Sequence, residues 1–364
     1  MNNDIESGYN MNSKELLKEL TLLSGVSGDE KAVSQFMRDK IGSDIPFIKD
    51  KLGSIAFEIK GSSDKPRILL VGHMDEIGFM VHSITKNGLI RMVNLGGWDP
   101  RTLMSSPVEV INHKGEHFTG LIGSVPVHHL KDASGKLSID DMYVDLGASS
   151  DDEIKNVFEI RKGDFIVPVP HYHYIDKNDI MISKGFDDRA GVAMAIEAAQ
   201  YFKDKTHPNT IFCAGSVQEE VGTRGAQTIA NLVKPDLAIV LEGAPGDDFP
   251  GNRDEIQCGL GKGVQMRVVD PTMLTNPALK NFVIDVCEEN KIPYQIAVRK
   301  SGGTDAGKIH VSNIGVPSVV LAVPVRYAHS HNGMMKMSDY QAALDLVIKM
   351  IEKIDEKILE KILP

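Results

Sequence analysis

Five short segments carry the side chains able to do chemistry: Gly72-His73-Met74-Asp75-Glu76, Phe186-Asp187-Asp188-Arg189, Gln218-Glu219-Glu220-Val221-Gly222, Leu241-Glu242-Gly243 and Tyr327-Ala328-His329-Ser330-His331. Each stands where the chain turns out of a hydrophobic run. Carboxylates and imidazoles gathered at the ends of buried strands are costly unless something compensates them. A bound metal pair would do so, and the pattern therefore predicts a metallohydrolase.

Ile68 to Gly72 reads as a buried strand ending at His73. Residues two apart on a strand share a face, so His73 and Asp75 can point together. A metal-bound imidazole needs its other ring nitrogen held, and Asp75 is placed for that. Asp187 and Asp188 precede a helical run, where an Asp pair could simply cap the helix. Alternatively Asp187 bridges two metals while Asp188 or Arg189 stabilises the turn. Glu219 and Glu220 follow the apolar strand Thr210–Val217 and repel each other unless offset. One of them would bind metal and the other would take a proton from bound water. Glu242 ends the next strand, on the edge of an α/β sheet where ligands gather. His329 follows the Ser318–Val323 strand and its Pro324 loop, with His331 and, less suitably, His310 as rivals. Oxygen and nitrogen donors of this kind suit Zn²⁺, Co²⁺ or Mn²⁺.

The elements that must position these groups fall into two textures. Ser13 to Leu23 reads as an amphipathic helix with Ser13 as N-cap, and Ser27 or Asp29 could start a second helix through Arg38. Strands are expected over Ser54–Ile59 and Arg67–Gly72. From Glu76 to about Pro170 the pieces are short and broken by Gly, Pro and Asn-Gly turns, which predicts an all-β insertion of barrel or sandwich type. After Pro170 helices alternate with continuous apolar strands: helix Asp188–Phe202, strand Thr210–Val217, helix Ala226–Leu232, strand Leu237–Leu241, a helix capped by Asn276, strands Tyr294–Val298 and Ser318–Val323. Ser338 with Gln341 reads as a capping box for a C-terminal helix. The expected fold is α/β, a mixed and largely parallel sheet flanked by helices. Residues 1–75 and 171–364 would form a discontinuous catalytic domain, with residues 76–170 as an inserted β domain overhanging the site.

Composition narrows the function classes. The 364 residues suffice for one large domain or two, and 42% hydrophobic with 25% charged residues fits a globular chain. Forty basic against 50 acidic residues, a net charge of −10, argue against nucleic acid and anionic membrane as partners. Three dispersed Cys fit a reducing, cytoplasmic setting. Met1 to Asn10 lacks the pattern of a signal peptide, and no apolar run is long enough for a membrane span. His128-His129 and His171-Tyr172-His173 read as exposed or interface clusters. The Ser301-Gly302-Gly303-Thr304-Asp305 loop lacks a phosphate-loop ending, and its expected use is close backbone approach to a substrate.

Five ordered motifs carry a resemblance over about residues 15 to 350. Gly72-His73-Met74-Asp75-Glu76-Ile77-Gly78, Phe186-Asp187-Asp188-Arg189-Ala190-Gly191, Gln218-Glu219-Glu220-Val221-Gly222, Gly302-Gly303-Thr304-Asp305-Ala306 and Arg326-Tyr327-Ala328-His329-Ser330 resemble the tetrahedral aminopeptidases, a group that includes glutamyl and deblocking aminopeptidases. The resemblance implies a dimetal exopeptidase with two divalent ions per subunit. One ion would be held by His73 and Glu242 and the other by Glu220 and His329, or with Glu220 and Glu242 exchanged. Asp187 would bridge them, Glu219 would be the general base activating a metal-bridging water, and Asp75 would orient His73. Many relatives have Asp where this chain has Glu242, which reaches one methylene further. The resemblance also implies dimers formed through the β domain, assembling into a hollow tetrahedral dodecamer that admits short peptides.

Other readings use the same residues. A glycosidase would employ Glu219 and Glu220, but adjacent residues rarely span the roughly 5–9 Å that a glycosidic bond requires. A dimetal amidohydrolase acting on a small non-peptide amide would need the same ligands. A metal-stabilised binding protein would predict a missing base or ligand, and none is missing.

Overall fold

The computed structural model describes residues 12–125, 137–250 and 256–363. Helices α1 (Ser13–Leu22) and α2 (Lys31–Ile41) precede strands β1 (Phe47–Lys49), β2 (Ile55–Lys60) and β3 (Arg67–His73). The chain then makes β4 (Gly78–Ile84), β5 (Ile90–Leu95), β6 (Pro107–Ile111), β7 (His117–Gly123), β8 (Tyr143–Asp145), α3 (Asp151–Asn156) and β9 (Phe165–Pro168). It returns through β10 (Tyr172–Ile175), β11 (Ile180–Ser183), α4 (Phe186–Phe202), β12 (Thr210–Ser216), α5 (Arg224–Val233) and β13 (Leu237–Pro245). The remainder is β14 (Val264–Asp270), β15 (Met273–Leu274), α6 (Pro277–Asn290), β16 (Tyr294–Val298), α7 (Ala306–Ile309), β17 (Ser318–Val325), β18 (Gly333–Lys336), α8 (Met337–Lys353) and α9 (Glu356–Ile362).

Among the described residues, nine strands form the main sheet in the order β1-β2-β12-β3-β13-β17-β14-β15, with β16 paired to β14. The central strands β12, β3, β13 and β17 are mutually parallel, and antiparallel pairing is confined to the flanks. Alternation along β3 feeds two hydrophobic layers: Ile68 and Leu70 pack with α1, α2, α4 and α8, while Leu69 and Val71 pack with α5 and α7. Strands β4 to β9 close into a six-stranded antiparallel barrel with its own core. The expected fold class, a largely parallel sheet between helices plus a β insertion, is the one observed, and the insertion is a barrel rather than a sandwich.

Several local expectations change in instructive ways. The N-cap of α1 is Asn12, and Ser13 instead donates to Glu197. Helix α2 starts at Lys31 with Glu30 as its N-cap, later than expected, and buried Ser27 instead donates its hydroxyl to Asp75. Ser338 makes no capping box: α8 begins at Met337, and the Ser338 N–H goes to Asp179. Asn276 does cap α6, accepting from Ala278 and Leu279. The His128-His129 pair lies outside the described residues.

Glycines let α4 lie against the sheet beside the site. A Cβ on Gly72 would stand 2.6 Å from the Gly191 carbonyl carbon, and one on Gly243 would stand 2.1 Å from the Phe186 oxygen. Backbone cannot yield as a side-chain tip can. Gly72→Ala should therefore lose about 1–3 kcal/mol of stability, the usual range for overpacking. Chemical denaturation checks this, and a variant as stable as the parent would refute the contact.

Candidate metal centre

The four central parallel strands end at one edge, and each delivers part of a cluster. Strand β3 ends at His73, and β12 passes through a turn to Glu219 and Glu220. Glu242 lies near the end of β13, and the loop after β17 carries His329. Asp187 comes from the first turn of α4, where helical geometry is interrupted at Asp187 (φ −87°, ψ 99°) and Asp188 (φ −126°, ψ 46°). That break separates the two carboxylates. Asp187 turns into the cluster, while Asp188 accepts from the backbone N–H of His73 at 2.8 Å and of Gly191 at 2.8 Å. Asp188 thus does more than cap a helix, since it fixes the end of β3 against α4.

Asp187 spans the two imidazoles: its Oδ1 is 3.0 Å from His73 Nε2 and its Oδ2 is 3.3 Å from His329 Nε2. Glu220 Oε1 lies 3.4 Å from His329 Nε2, while Glu242 and Glu219 lie 3.8 Å and 4.0 Å from His73 Nε2. His73 Nδ1 is 3.0 Å from the Asp75 carbonyl oxygen and 3.4 Å from its carboxylate. The Asp75 carboxylate accepts from Ser27 Oγ and from the N–H groups of Glu219 and Glu220. One buried aspartate therefore fixes both His73 and the turn bearing the adjacent glutamates. Gln218, Tyr327 and His329, in the loops that carry the ligands, have φ of 56°, 59° and 59°, left-handed backbone uncommon for such residues.

The electrostatics are as unusual as the geometry. Burial pushes Glu219 and Glu242 well above the ordinary glutamate range, and neighbouring carboxylates push further, with His73 opposing. Burial, then the Asp187 charge, raises Glu220 to about 8. Burial alone would lower His329, but Asp187 and Glu220 outweigh it and lift it to about 10. Burial likewise opposes charging of His73, yet its hydrogen bonds to Asp187 and Asp75 raise it well above normal. Among the described residues, no Lys or Arg pairs with Asp187, Glu219, Glu220 or Glu242. Glu76, one turn away, is treated differently: Lys184 and Arg189 reach it at 2.6 Å and 3.5 Å. A set of imidazole and carboxylate donors short only of positive charge fits divalent ions. Two candidate triads share His73, one with Asp187 and Glu220 and one with Asp188 and Glu242.

The cluster opens into a cavity of about 510 Å³. Gly302, Gly303 and Thr304 line it, as expected of that loop, together with Arg267 and Arg299. The rivals are elsewhere. His331 is buried 5.3 Å from the Trp98 ring, and burial lowers it to about 4. His310 turns back to its own chain, donating Nδ1–H to the Ala306 carbonyl at 3.0 Å. His171 and His173 have rings 6.1 Å apart beside the barrel. Sequence reasoning missed Ser27, Gly97 and the two arginines. Gly97 contributes only its backbone carbonyl, which has no side-chain signal, and Ser27 carried only a capping signal.

Residues 53–346 match the M42 glutamyl aminopeptidase family. The chain belongs to this family. It is 33% identical over 353 residues to the glutamyl aminopeptidase of Lactococcus lactis subsp. cremoris, covering 94% of this chain and 97% of the relative. A TET aminopeptidase from the marine sediment archaeon Thaumarchaeota archaeon SCGC AB-539-E09 superposes with a TM-score of 0.91 at 39% identity, covering 97% of this chain and all of that one. The Pyrococcus horikoshii TET1 peptidase, which can assemble into a tetrahedron or a large octahedral shell, superposes with a TM-score of 0.82 at 30% identity, covering 94% of this chain and 100% of that one. This M42 chain is thus a peptide-bond hydrolase, and M42 peptidases are metal-dependent. The match does not favour the amidohydrolase reading.

The raised carboxyl and imidazole pKa values have a measurable consequence. At pH 7 the metal-free cluster holds protons on groups such as Glu220 (about 8) and His329 (about 10) that ions must displace. Metal binding should release protons, and affinity should strengthen as pH rises from 6 to 8. Calorimetry in buffers of different ionisation enthalpy checks this, and pH-independent binding without proton release would contradict it.

Proposed function

We propose that the chain is a two-metal aminopeptidase that removes N-terminal residues from short peptides. The observation that carries this is the convergence of His73, His329, Glu220 and Glu242 around Asp187, with Glu219 beside them and, among the described residues, no Lys or Arg ion-paired to these carboxylates. The shorter distances support Glu242 with His73 and Glu220 with His329, Asp187 lying between the two positions. The donor set suits Zn²⁺, Co²⁺ or Mn²⁺. When bound, such ions supply Lewis acidity and lower the pKa of water.

The protein's own groups do the rest. Glu219 takes the proton of the attacking water and hands it to the leaving amine. Asp75 holds Glu219 through its N–H and holds His73 through the ring. The free N-terminal amine anchors among the site carboxylates, and Gly302–Thr304 offers backbone to the substrate.

Arg267 and Arg299 bear on the preferred N-terminal residue. Both line the cavity, whereas Asp270 and Asp247, which pair with them at 3.5 Å and 3.0 Å, do not. Arg267 aligns with Val320, two residues before the position level with Glu242, so it stands deeper along the sheet than that ligand. This supports an acidic N-terminal residue.

We assign residues 1–75 with 171–364 to the catalytic unit and 76–170 to dimerisation, the dimers building a tetrahedral dodecamer. A TET relative that forms such shells supports this. Three buried free cysteines support a cytoplasmic setting, and no described helix is long and apolar enough to cross a membrane.

Three measurements test these readings. Metal-stripped protein given Zn²⁺, Co²⁺ or Mn²⁺ singly should cleave aminoacyl-p-nitroanilides, and two bound ions without any cleavage would overturn the activity. Glu219→Gln should keep metal and fold yet lose about 10² or more in kcat; retained turnover would remove Glu219 from its role. Glutamyl-p-nitroanilide should exceed the leucyl substrate in kcat/KM. Arg299→Ala should lower the glutamyl value alone, about tenfold to a hundredfold, the worth of one charged hydrogen bond. Equal losses on both substrates would refute the acidic preference.

A further inference from the structure

The two imidazoles of the cluster are held by different parts of the protein. Each Nδ1 faces a backbone carbonyl, which leaves Nε2 toward the carboxylates: His73 to Asp75 at 3.0 Å and His329 to Gly97 at 2.9 Å. Asp75 is two residues from His73. Gly97 is 232 residues from His329, on the barrel loop that follows β5. The partners of His73 are Asp75, Asp187 and Asp188, none of them from the barrel. The side chain of His73 is 2% exposed and that of His329 is 38% exposed. A ligating imidazole depends on its second hydrogen bond for tautomer and ring direction. For His329 that bond is the barrel's.

The loop is braced for this task. Asn94 Nδ2 donates to the Gly96 oxygen at 2.7 Å. The Trp98 indole stacks on Phe79 at 4.9 Å and donates Nε1–H to the Gly78 oxygen at 3.2 Å, tying the loop to the barrel core. Gly96 adopts φ +84°, and a Cβ there would stand 2.5 Å from Ile77 Cγ2 and 3.0 Å from Glu220 Oε2. The loop thus packs on Glu220 as well as on His329.

Building on the two-metal reading above, we infer that the Asn94–Trp98 loop is a positioning element for one of the two metal positions. The ion held with His329 depends on the barrel, and the ion held with His73 does not. A disturbance of the loop should weaken one position selectively.

The test titrates metal-stripped, full-length protein with Co²⁺, following heat and visible absorption, and compares Gly96→Ala and Asn94→Ala with the parent. Asn94 is exposed, so its variant keeps the fold even if the added methyl at Gly96 does not. The expected result is two ions in the parent, with one Kd unchanged in the variants. The other Kd should rise about tenfold to a hundredfold in Gly96→Ala, as for lost outer-sphere support, and less in Asn94→Ala. Equal weakening of both ions, or no change in either variant, would overturn the inference. A parent that binds a single ion would instead overturn the two-metal reading, and the inference with it.

Discussion

Four carboxylates and two imidazoles share one buried edge without a lysine or arginine partner among the described residues, and this charge imbalance organises the molecule. Burial disfavours every one of those charges. The protein has buried cations within reach and spends them on Glu76 instead. Glu219, Glu220 and Glu242 are therefore biased toward their protonated forms, while the two imidazoles hold Asp187 ionised, and the fold must keep the donors in place.

It does so with backbone rather than with side-chain ion pairs. Asp75 accepts two main-chain N–H groups from the Glu219-Glu220 turn, and Asp188 accepts one from His73 and one from Gly191. These carboxylates are structural ties whose neighbours do the chemistry. The glycines at 72, 191 and 243 matter for the same reason, because they let α4 approach β3 and β13 closely enough for Asp187 to reach between two histidines. Parallel strands ending at a common edge supply the rest of the convergence.

The barrel is part of this arrangement and more than an appendage. It leaves the sheet directly after Asp75 and Glu76 and returns a carbonyl to His329. Packing of the barrel and order at the site are then coupled through one short loop.

Much of this was legible in the sequence. The apolar runs ending at His73, Val217 and Glu242 pointed to a parallel sheet, because strands covered on both faces are apolar throughout. The short Gly- and Pro-punctuated pieces after Glu76 marked an all-β insertion, and ordered motifs marked the family and the candidate ligands. What lay outside reach were contacts between segments distant in the chain. Ser27 looked like a helix cap and is a partner of Asp75; Ser338 looked like a capping box and is served by Asp179. Gly97 carried no chemical signal and its carbonyl faces His329 Nδ1. Residue type and spacing determine which side chains can bear charge, ligate or turn the chain, since those are local properties. Which backbone group each one meets is set by tertiary packing, because a carbonyl has no residue-specific signature until the fold places it.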